Sequence, residues 1–411
     1  MTLPRLRPLE AYPFEENGET FYYLRDPQDF APDPVVVNGL QYFILSLLNG
    51  KNSLQDVCRK FEEAFSGVVL SEADLRGLVE QFDGYLLLET PRYQAHLQQL
   101  FTDFRESPLR KAWHAGVCYP EDPLLLRQKI TEFYLDPAGA GLEARPRSAG
   151  GYPLRAILVP HIDLRVGAPC YTHAYRDLAA STDADLFIVL GIAHSGGSGF
   201  MIASEKDFET PLGRVETDRA FLAAWEKNLG HSLCEEEFVH RSEHSIEFQL
   251  PFLQERLERP FKILPVLCGS MYSYVHHASP DIPDLLAYTE SLRRTIRESG
   301  RKVFFILSVD LAHMGPKFGD GFAVDENRAE VIKKQDLDMF EVLSRLDRRN
   351  FFELVRKDLL KRNVDACGAA YTLLSLMEEG AGELVAYDQN LQRDSNSIVT
   401  YGSMLFFGPA W

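Results

Sequence analysis

The chain has 411 residues, 45% hydrophobic and 25% charged, the balance of a soluble globular protein long enough for two or three domains. Sixty acidic against 43 basic side chains leave a formal net charge of −17, which repels phosphate backbones and anionic bilayers and argues against nucleic acid or membrane as partner. No run approaches the roughly 20 apolar residues of a bilayer span, the opening MTLPRLRPLEAYPFEENGET lacks a signal-peptide core, and Cys58, Cys118, Cys170, Cys234, Cys268 and Cys367 form no CxxC pair; a cytoplasmic chain without disulfide scaffold, Fe–S cluster or four-cysteine zinc site is expected.

The first segment that reads as a unit lies between Thr20 and Thr90. YYLRDPQDF suggests a strand, and Leu40, Phe43, Ile44 and Leu47 form a helical stripe that stops at Gly50. Ser53 caps a second helix with Leu54, Val57, Cys58, Phe61 and Phe65 on one face; Ser71 caps a third, with Asp74 three residues on. GYLLLET closes the unit as a short extended run. Three helices with β elements describe a small winged-helix-like α+β domain, placed at residues 1–100. Residues 35–90 carry four basic against eight acidic side chains, so the unit is expected to bind protein or peptide rather than DNA. Its layout is similar to the small domains that present peptides to maturation enzymes.

A helix-rich connector (91–112) and the Gly/Pro/Ala-rich loop or linker DPAGAGLEARPRSAGGYP precede a change of pattern. From Arg155 onward, apolar strands recur at RAILVP, DLFIVLG, FKILPVLCG, KVFFILSVD and SIVTYGSMLFF. Between them lie helical segments such as DRAFLAAWEKNL, DIPDLLAYTESLRRTIRESG and AAYTLLSLMEEG. That alternation predicts an α/β domain, a mostly parallel doubly wound sheet flanked by helices, over residues 101–411.

Ionisable residues follow these strands directly. RAILVP leads to His161 and Asp163, LFIVLGIA to His194 and Ser195, FFILSV to Asp310 and His313, and the loop VHRSEHSIEFQLP offers His240, Glu243, His244, Ser245 and Glu247. In a parallel sheet the carboxyl ends of the strands share one edge, so these residues converge there. A single histidine in such a place is most simply a cap or a satisfied core group, whereas several behind apolar strands point to a divalent-metal site. Two imidazoles with a carboxylate leave positions open for substrate and dioxygen. LGIAHSGGSG matches neither GxGxxG nor a P-loop, and Ser195 is not in a GxSxG elbow. Cys367 precedes a helix and is open to three roles: nucleophile, metal ligand or buried thiol.

HAGVCY, LVPHIDLRVGAPCYTHAY, VLGIAHSG, EHSIEFQLPFL, ILPVLCG, SVDLAHMG, ACGAAYTLL and DSNSIVTYGSMLF occur in the order found in the Memo family, over about residues 112–408. The chain resembles its branch called AmmeMemoRadiSam system protein B. The resemblance implies a fold similar to class III extradiol dioxygenases, with His161 and His194 as metal ligands and His244 as acid/base. It also implies Fe(II), with Zn or Cu as other occupants, and a radical-SAM protein with its small companion as partners. Where vertebrate members carry a cysteine taken as third ligand, this chain has Ala312. A substitute donor is then expected from Asp310, His313, Glu243 or Cys367, with Asp310 and His313 ranked first because they flank the position. PHIDLRVG stands where many relatives have PHAGYxYSG, which makes Asp163 and Arg165 candidates for substrate binding alongside Ser195 and Cys367.

The function expected on these grounds is a metal-dependent, dioxygenase-like redox enzyme acting on a small molecule or a peptide. His161, His194 and His313 would serve as ligands, and His244, Glu243 and Asp310 would carry the chemistry. A non-catalytic peptide- or metal-binding scaffold and a metal-dependent hydrolase are the alternatives.

Overall fold

In the computed structural model, which describes residues 2–31 and 34–411, the chain divides into two compact units that meet between Ser107 and Pro108. The first contains an antiparallel sheet, β1 (Glu10–Glu16), β2 (Glu19–Arg25) and β3 (Val35–Asn38), followed by helices α1 (Gly39–Leu47), α2 (Leu54–Ala64), α3 (Glu72–Gly84) and α4 (Pro91–Glu106). Asn38, Ser53, Ser71 and Thr90 each accept a backbone N–H of the turn they start, which is why these four helices begin where they do. Their apolar stripes meet β2 and β3 in a core of Leu24, Val37, Ile44, Val57, Phe61, Leu75 and Phe82. GYLLLET forms no strand. Leu86 adopts a left-handed φ of 60° and gives its carbonyl to the buried Arg7 guanidinium at 2.7 Å, so extended pairing shrinks to one bridge, Leu6 to Leu88. Because α4 continues through residue 100, the unit ends later than the composition suggests.

The second unit opens with β4 (Leu109–Arg110) and β5 (Ser148–Ala149) and continues through β6 (Tyr152–Val159), β7 (Leu186–Ile192), β8 (Met201–Ala203), β9 (Asp207–Thr210) and β10 (Gly213–Val215). Then come β11 (Lys262–Cys268), β12 (Val303–Ser308), β13 (His313–Met314), β14 (Ala381–Gln392) and β15 (Ser397–Phe407). Its main sheet has the order β13-β15-β6-β12-β7-β11-β8, with β14 on β15 and β5 on β6. The four central strands β6, β12, β7 and β11 are parallel, as their unbroken apolar runs predict. SIVTYGSMLFF is a strand, but it pairs antiparallel with β6, because it returns from β14 through a tight turn and a hairpin can only reverse direction.

Helices cover both faces. Side chains alternate along each strand, so Leu158, Ile188 and Leu264 point into a core with Trp225, Leu292 and Phe351, while Ile157, Val189 and Ile263 pack with Tyr171, Tyr175 and Phe252 on the other side. This is the doubly wound arrangement that the alternation of strands and helices predicts. The loop at 136–147 is no domain linker: Ala140 N–H donates to Thr172 Oγ1 and Arg145 N–H to Asp177, both at 2.9 Å, within the second unit.

Candidate metal centre

β6, β7 and β12 run the same way, so His161, His194 and Asp310 emerge from one edge of the sheet, and the short helix His244–Glu247 lies against that edge. The ring centroids of His161 and His194 are 4.9 Å apart, those of His161 and His244 5.0 Å, and those of His194 and His244 4.8 Å. One ring nitrogen from each of the three lies within 4.8 Å of the others. A fourth group joins them: Asp365 Oδ2 is 3.0 Å from His161 Nε2 and 3.8 Å from His194 Nε2.

Each imidazole is held from behind. His161 Nδ1–H donates to the Ser308 carbonyl at 2.9 Å, which turns Nε2 toward the cluster, while the backbone N–H groups of His161 and Ile162 donate to Asp310 Oδ1 at 3.0 and 3.1 Å. Glu243 takes the His194 Nδ1–H at 3.0 and 3.1 Å, the His194 backbone N–H at 3.1 Å and that of Ser245 at 2.9 Å, and its Oε1 lies 3.2 Å from His244 Nδ1. One buried carboxylate thus aims two rings. Their closeness depends on Gly191: a Cβ there would stand 2.5 Å from Ser245 Oγ, so only glycine lets the His244 turn settle on β7.

Under this layer lies a wholly buried ion pair, Arg110 with Glu247. Glu247 also accepts the backbone N–H groups of Trp113 and His114, at 3.0 and 2.8 Å, and the Tyr119 hydroxyl. Arg110 donates to the carbonyls of Lys111, His240 and Glu243 at 2.9, 3.0 and 2.6 Å. The pair therefore ties the 110–119 segment to the loop that carries Glu243 and His244. Gln249 completes the frame, donating to Pro160 O at 2.9 Å and Ser308 Oγ at 2.7 Å.

Burial works against charge at each ring, and the neighbours decide the outcome. At His161, burial pulls the pKa down, but Asp310 and Asp365 outweigh it and leave the imidazole raised. At His194, burial is overcome by Glu243 and Asp365, and the pKa rises to about 10. His244 lies well below the ordinary imidazole value, because burial dominates and His194 and His161 add like charge. Burial, then Asp365, raises the Asp310 carboxyl; the Asp365 carboxyl, despite its burial, is lowered by His161 and His194. A raised pair beside a depressed third ring divides the cluster into two groups that attract cations or protons and one neutral base.

The structure brings His161, His194, His244, Glu243 and Asp310 together. His313 stands at one side of the loop, its Nδ1 3.1 Å from Leu311 O and 3.2 Å from Asn363 O, and it is outside the three-histidine group. Cys367 is buried, donates S–H to Val364 O at 3.1 Å, and has its pKa raised by burial, so it is a packed thiol rather than a thiolate. Asp163 caps the following helix and binds Arg165 through Nε at 2.9 Å and Nη2 at 2.5 Å, which leaves the exposed guanidinium engaged with its own cap. Ser195 lies on the exposed turn 194–198, whose Ser198 N–H is taken by Glu236 at 2.8 Å. Sequence reasoning missed two features. Asp365 sits two residues before Cys367, and its signal was a lone carboxylate between Val364 and Ala366; the Arg110–Glu247 pair had none, being 137 positions apart.

The donors fit a divalent ion. Two ligands each about 2.1 Å from one tetrahedral ion lie about 3.4 Å apart, and the 3.0 and 3.8 Å separations of Asp365 Oδ2 from the two Nε2 atoms bracket that span. Both Asp365 oxygens are buried without an aligned hydrogen bond. Hydrogen bonds on the remote nitrogens of His161 and His194 are the outer support that metal-bound imidazoles use.

Fold and site together define a doubly wound α/β protein with a histidine–carboxylate cluster at the carboxyl edge of its sheet. The chain belongs to the family of Memo-like proteins, whose model matches residues 110–405. A MEMO1 family protein of Aquifex aeolicus is 25% identical over 98% of this chain and 100% of its own length. One from Methanopyrus kandleri is 29% identical over 71% of this chain and 96% of its own, and one from Thermus thermophilus is 26% identical over 84% and 97%. Relatives of the shorter kind match a share of the chain close to that of the second unit, whereas the Aquifex protein is matched along nearly the whole chain, first unit included. No helix among the described residues is long and apolar enough to cross a membrane.

Proposed function

We propose that the second unit holds one divalent metal between His161 and His194, Fe(II) in first place with Zn(II) or copper as other occupants, and that it acts as a dioxygenase-like redox enzyme on a small molecule or peptide. The observation that carries this is the pair of imidazoles, each fixed through its remote nitrogen, whose near nitrogens face one buried carboxylate. A ferrous ion supplies one-electron chemistry toward dioxygen with coordination positions left for substrate. His244, kept neutral by burial, accepts a proton from a bound substrate, and Glu243 orients it. His194, with 37% of its side chain exposed, marks the open side through which substrate enters.

In the same proposal the first unit delivers a peptide, and a radical-SAM protein with its small companion are the partners. Tyr12, Phe14, Tyr23 and Val36 are exposed on β1, β2 and β3, an apolar surface that a peptide would cover. Metal analysis of protein purified without oxygen is the test: about one equivalent in the wild type, and less than about a tenth in His194→Ala, supports the centre. Metal below that level in both chains refutes it. Oxygen uptake on adding phenols separates oxidative from hydrolytic chemistry.

A further inference from the structure

β1, β2 and β3 turn one face to the helices of the first unit and leave the other face open. Residues alternate across each strand, so Leu24 and Val37 enter the core while Tyr12 and Phe14 of β1, Phe21 and Tyr23 of β2 and Val36 of β3 share the outer face. Tyr12 stands opposite Tyr23, Tyr23 opposite Val36, and Phe14 opposite Phe21. The rings meet at centroid separations of 6.5 Å for Tyr12–Tyr23 and 5.8 Å for Phe14–Phe21. Cross-strand pairs of this kind steady a hairpin, yet these remain wet: Tyr12 is 51% exposed, Phe14 38%, Tyr23 37% and Val36 53%. A continuous apolar surface of that kind marks a binding site.

Neither edge of this sheet suits the addition of another strand. The Asn17–Gly18 turn, left-handed at both residues, closes the hairpin on the pair Glu16–Glu19, so hydrogen-bonded pairs alternate back to Glu10–Arg25 and the backbone of Ala11, Pro13 and Glu15 faces outward along β1. Proline stands in the middle of that row without an N–H to give. On β3 the Asn38 N–H goes to the Gln41 side chain at 3.1 Å, which leaves Val36 as the one outward-facing backbone donor of that strand among the described residues. What suits an open sheet face is a helix, which satisfies its own backbone groups and buries an apolar stripe. The rim gives the sign of its charge. On β1 and β2, Glu10, Glu16 and Glu19 share the aromatic face with one cation, Arg25, and the Tyr12 hydroxyl donates to Glu10 at 2.8 Å. Such a rim repels nucleic acid and anionic bilayers, and a second copy meeting it about a two-fold axis would set glutamate against glutamate.

We infer that the outer face of β1, β2 and β3 docks an amphipathic helix whose apolar stripe is flanked by Lys and Arg, which rests on the reading of the first unit as a peptide carrier and adds where the peptide lies, in what conformation and with what charge. Tyr12, Phe14, Tyr23 and Val36 take the apolar stripe, and the glutamates at the hairpin tip and at Glu10 face its basic flanks.

The test is titration of the full chain, by fluorescence anisotropy at low and high salt, with a pair of labelled helical peptides of about 18 residues that share one leucine stripe and carry either lysine or glutamate on its flanks. The chains compared are wild type, Val36→Lys, the tip variant Glu16→Lys with Glu19→Lys, and a control that makes the same charge change on exposed helix positions, Glu62→Lys with Glu80→Lys. Wild type should bind the lysine peptide, more weakly as salt rises, and not the glutamate peptide. Val36→Lys and the tip variant should each lose about tenfold or more in affinity, and the tip variant much of the salt dependence, while the control stays within about twofold of wild type because distant exposed charges are screened. All three variants change exposed side chains, so thermal midpoints equal to wild type separate lost docking from lost folding. Affinity unchanged in both hairpin variants overturns the inference and leaves the first unit carrying a peptide on another surface. An equal loss in the control reduces the effect to net charge and overturns it too; a wild type that binds neither peptide overturns the carrier reading along with it.

Discussion

Replacing Arg110 by methionine keeps an aliphatic stem of similar length and removes the guanidinium from a place with no solvent access on either side of the pair. What remains is the Glu247 carboxylate with two backbone N–H groups and one hydroxyl but no cation, together with the carbonyls of Lys111, His240 and Glu243 deprived of their donor. Breaking a buried pair from one side costs about 3–5 kcal/mol, and three orphaned carbonyls place this case toward the upper end. For a unit of this size that corresponds to a fall of roughly 5–8 °C in the midpoint of thermal unfolding. Adding Glu247→Gln removes the stranded charge, although its single amide oxygen keeps only one of the two N–H groups, which Oε1 and Oε2 take separately, so the double variant should recover about 1 kcal/mol, a coupling within the range of contacting residues. Because Arg110 also anchors the Glu243 carbonyl, metal affinity should weaken about 10–100-fold. Calorimetry or urea unfolding of the four chains of the cycle, with a metal titration beside each, makes the measurement. An Arg110→Met midpoint within about 2 °C of wild type, or strictly additive single effects, would refute the reasoning.

His240 gives a pH dependence. It is buried, donates Nε2–H to Ile202 O at 3.0 Å, has no partner for Nδ1, and burial lowers its pKa to about 4. Below about pH 6.5 the unfolded chain takes up a proton that the fold refuses, so stability falls between pH 6.5 and 4 by at most about 3 kcal/mol. His240→Gln should lose that part of the acid slope, and an identical slope in both proteins would count against a neutral His240. Gly191→Ala should cost about 1–3 kcal/mol and weaken metal binding by displacing Ser245 and His244. Gly77→Ala, inside α3 with nothing within 4 Å, should instead stabilise by about 0.5–1 kcal/mol; equal effects at the two glycines would remove the packing explanation. Cys367 should resist iodoacetamide in the native protein at about pH 8, because only the thiolate reacts and burial suppresses it. Rapid labelling detected by mass spectrometry would contradict that assignment.

What could be read from the sequence is what local pattern encodes. RAILVP, LFIVLG, FKILPVLCG and VFFILS are apolar throughout because they form the parallel centre of the sheet, and a parallel centre gathers whatever follows each strand, so His161, His194 and Asp310 could be grouped without a structure. Direction at the sheet edge could not, since an apolar strand such as β15 looks the same whether it runs with or against its neighbour. Asp365 was hidden for a different reason. Asp310 and His313 were favoured because they flank Ala312 in sequence, yet coordination depends on which oxygens remain free, and Asp310 is committed to the backbone of the very histidine it adjoins. Asp365 lies two residues before the helix that Cys367 opens, and only the approach of that segment to the strand ends brings its carboxylate to the His161 and His194 rings. A residue's neighbours in sequence therefore say little about which groups the fold gathers at the sheet edge. Asp365 reaches the two rings through the assembled fold and not through spacing.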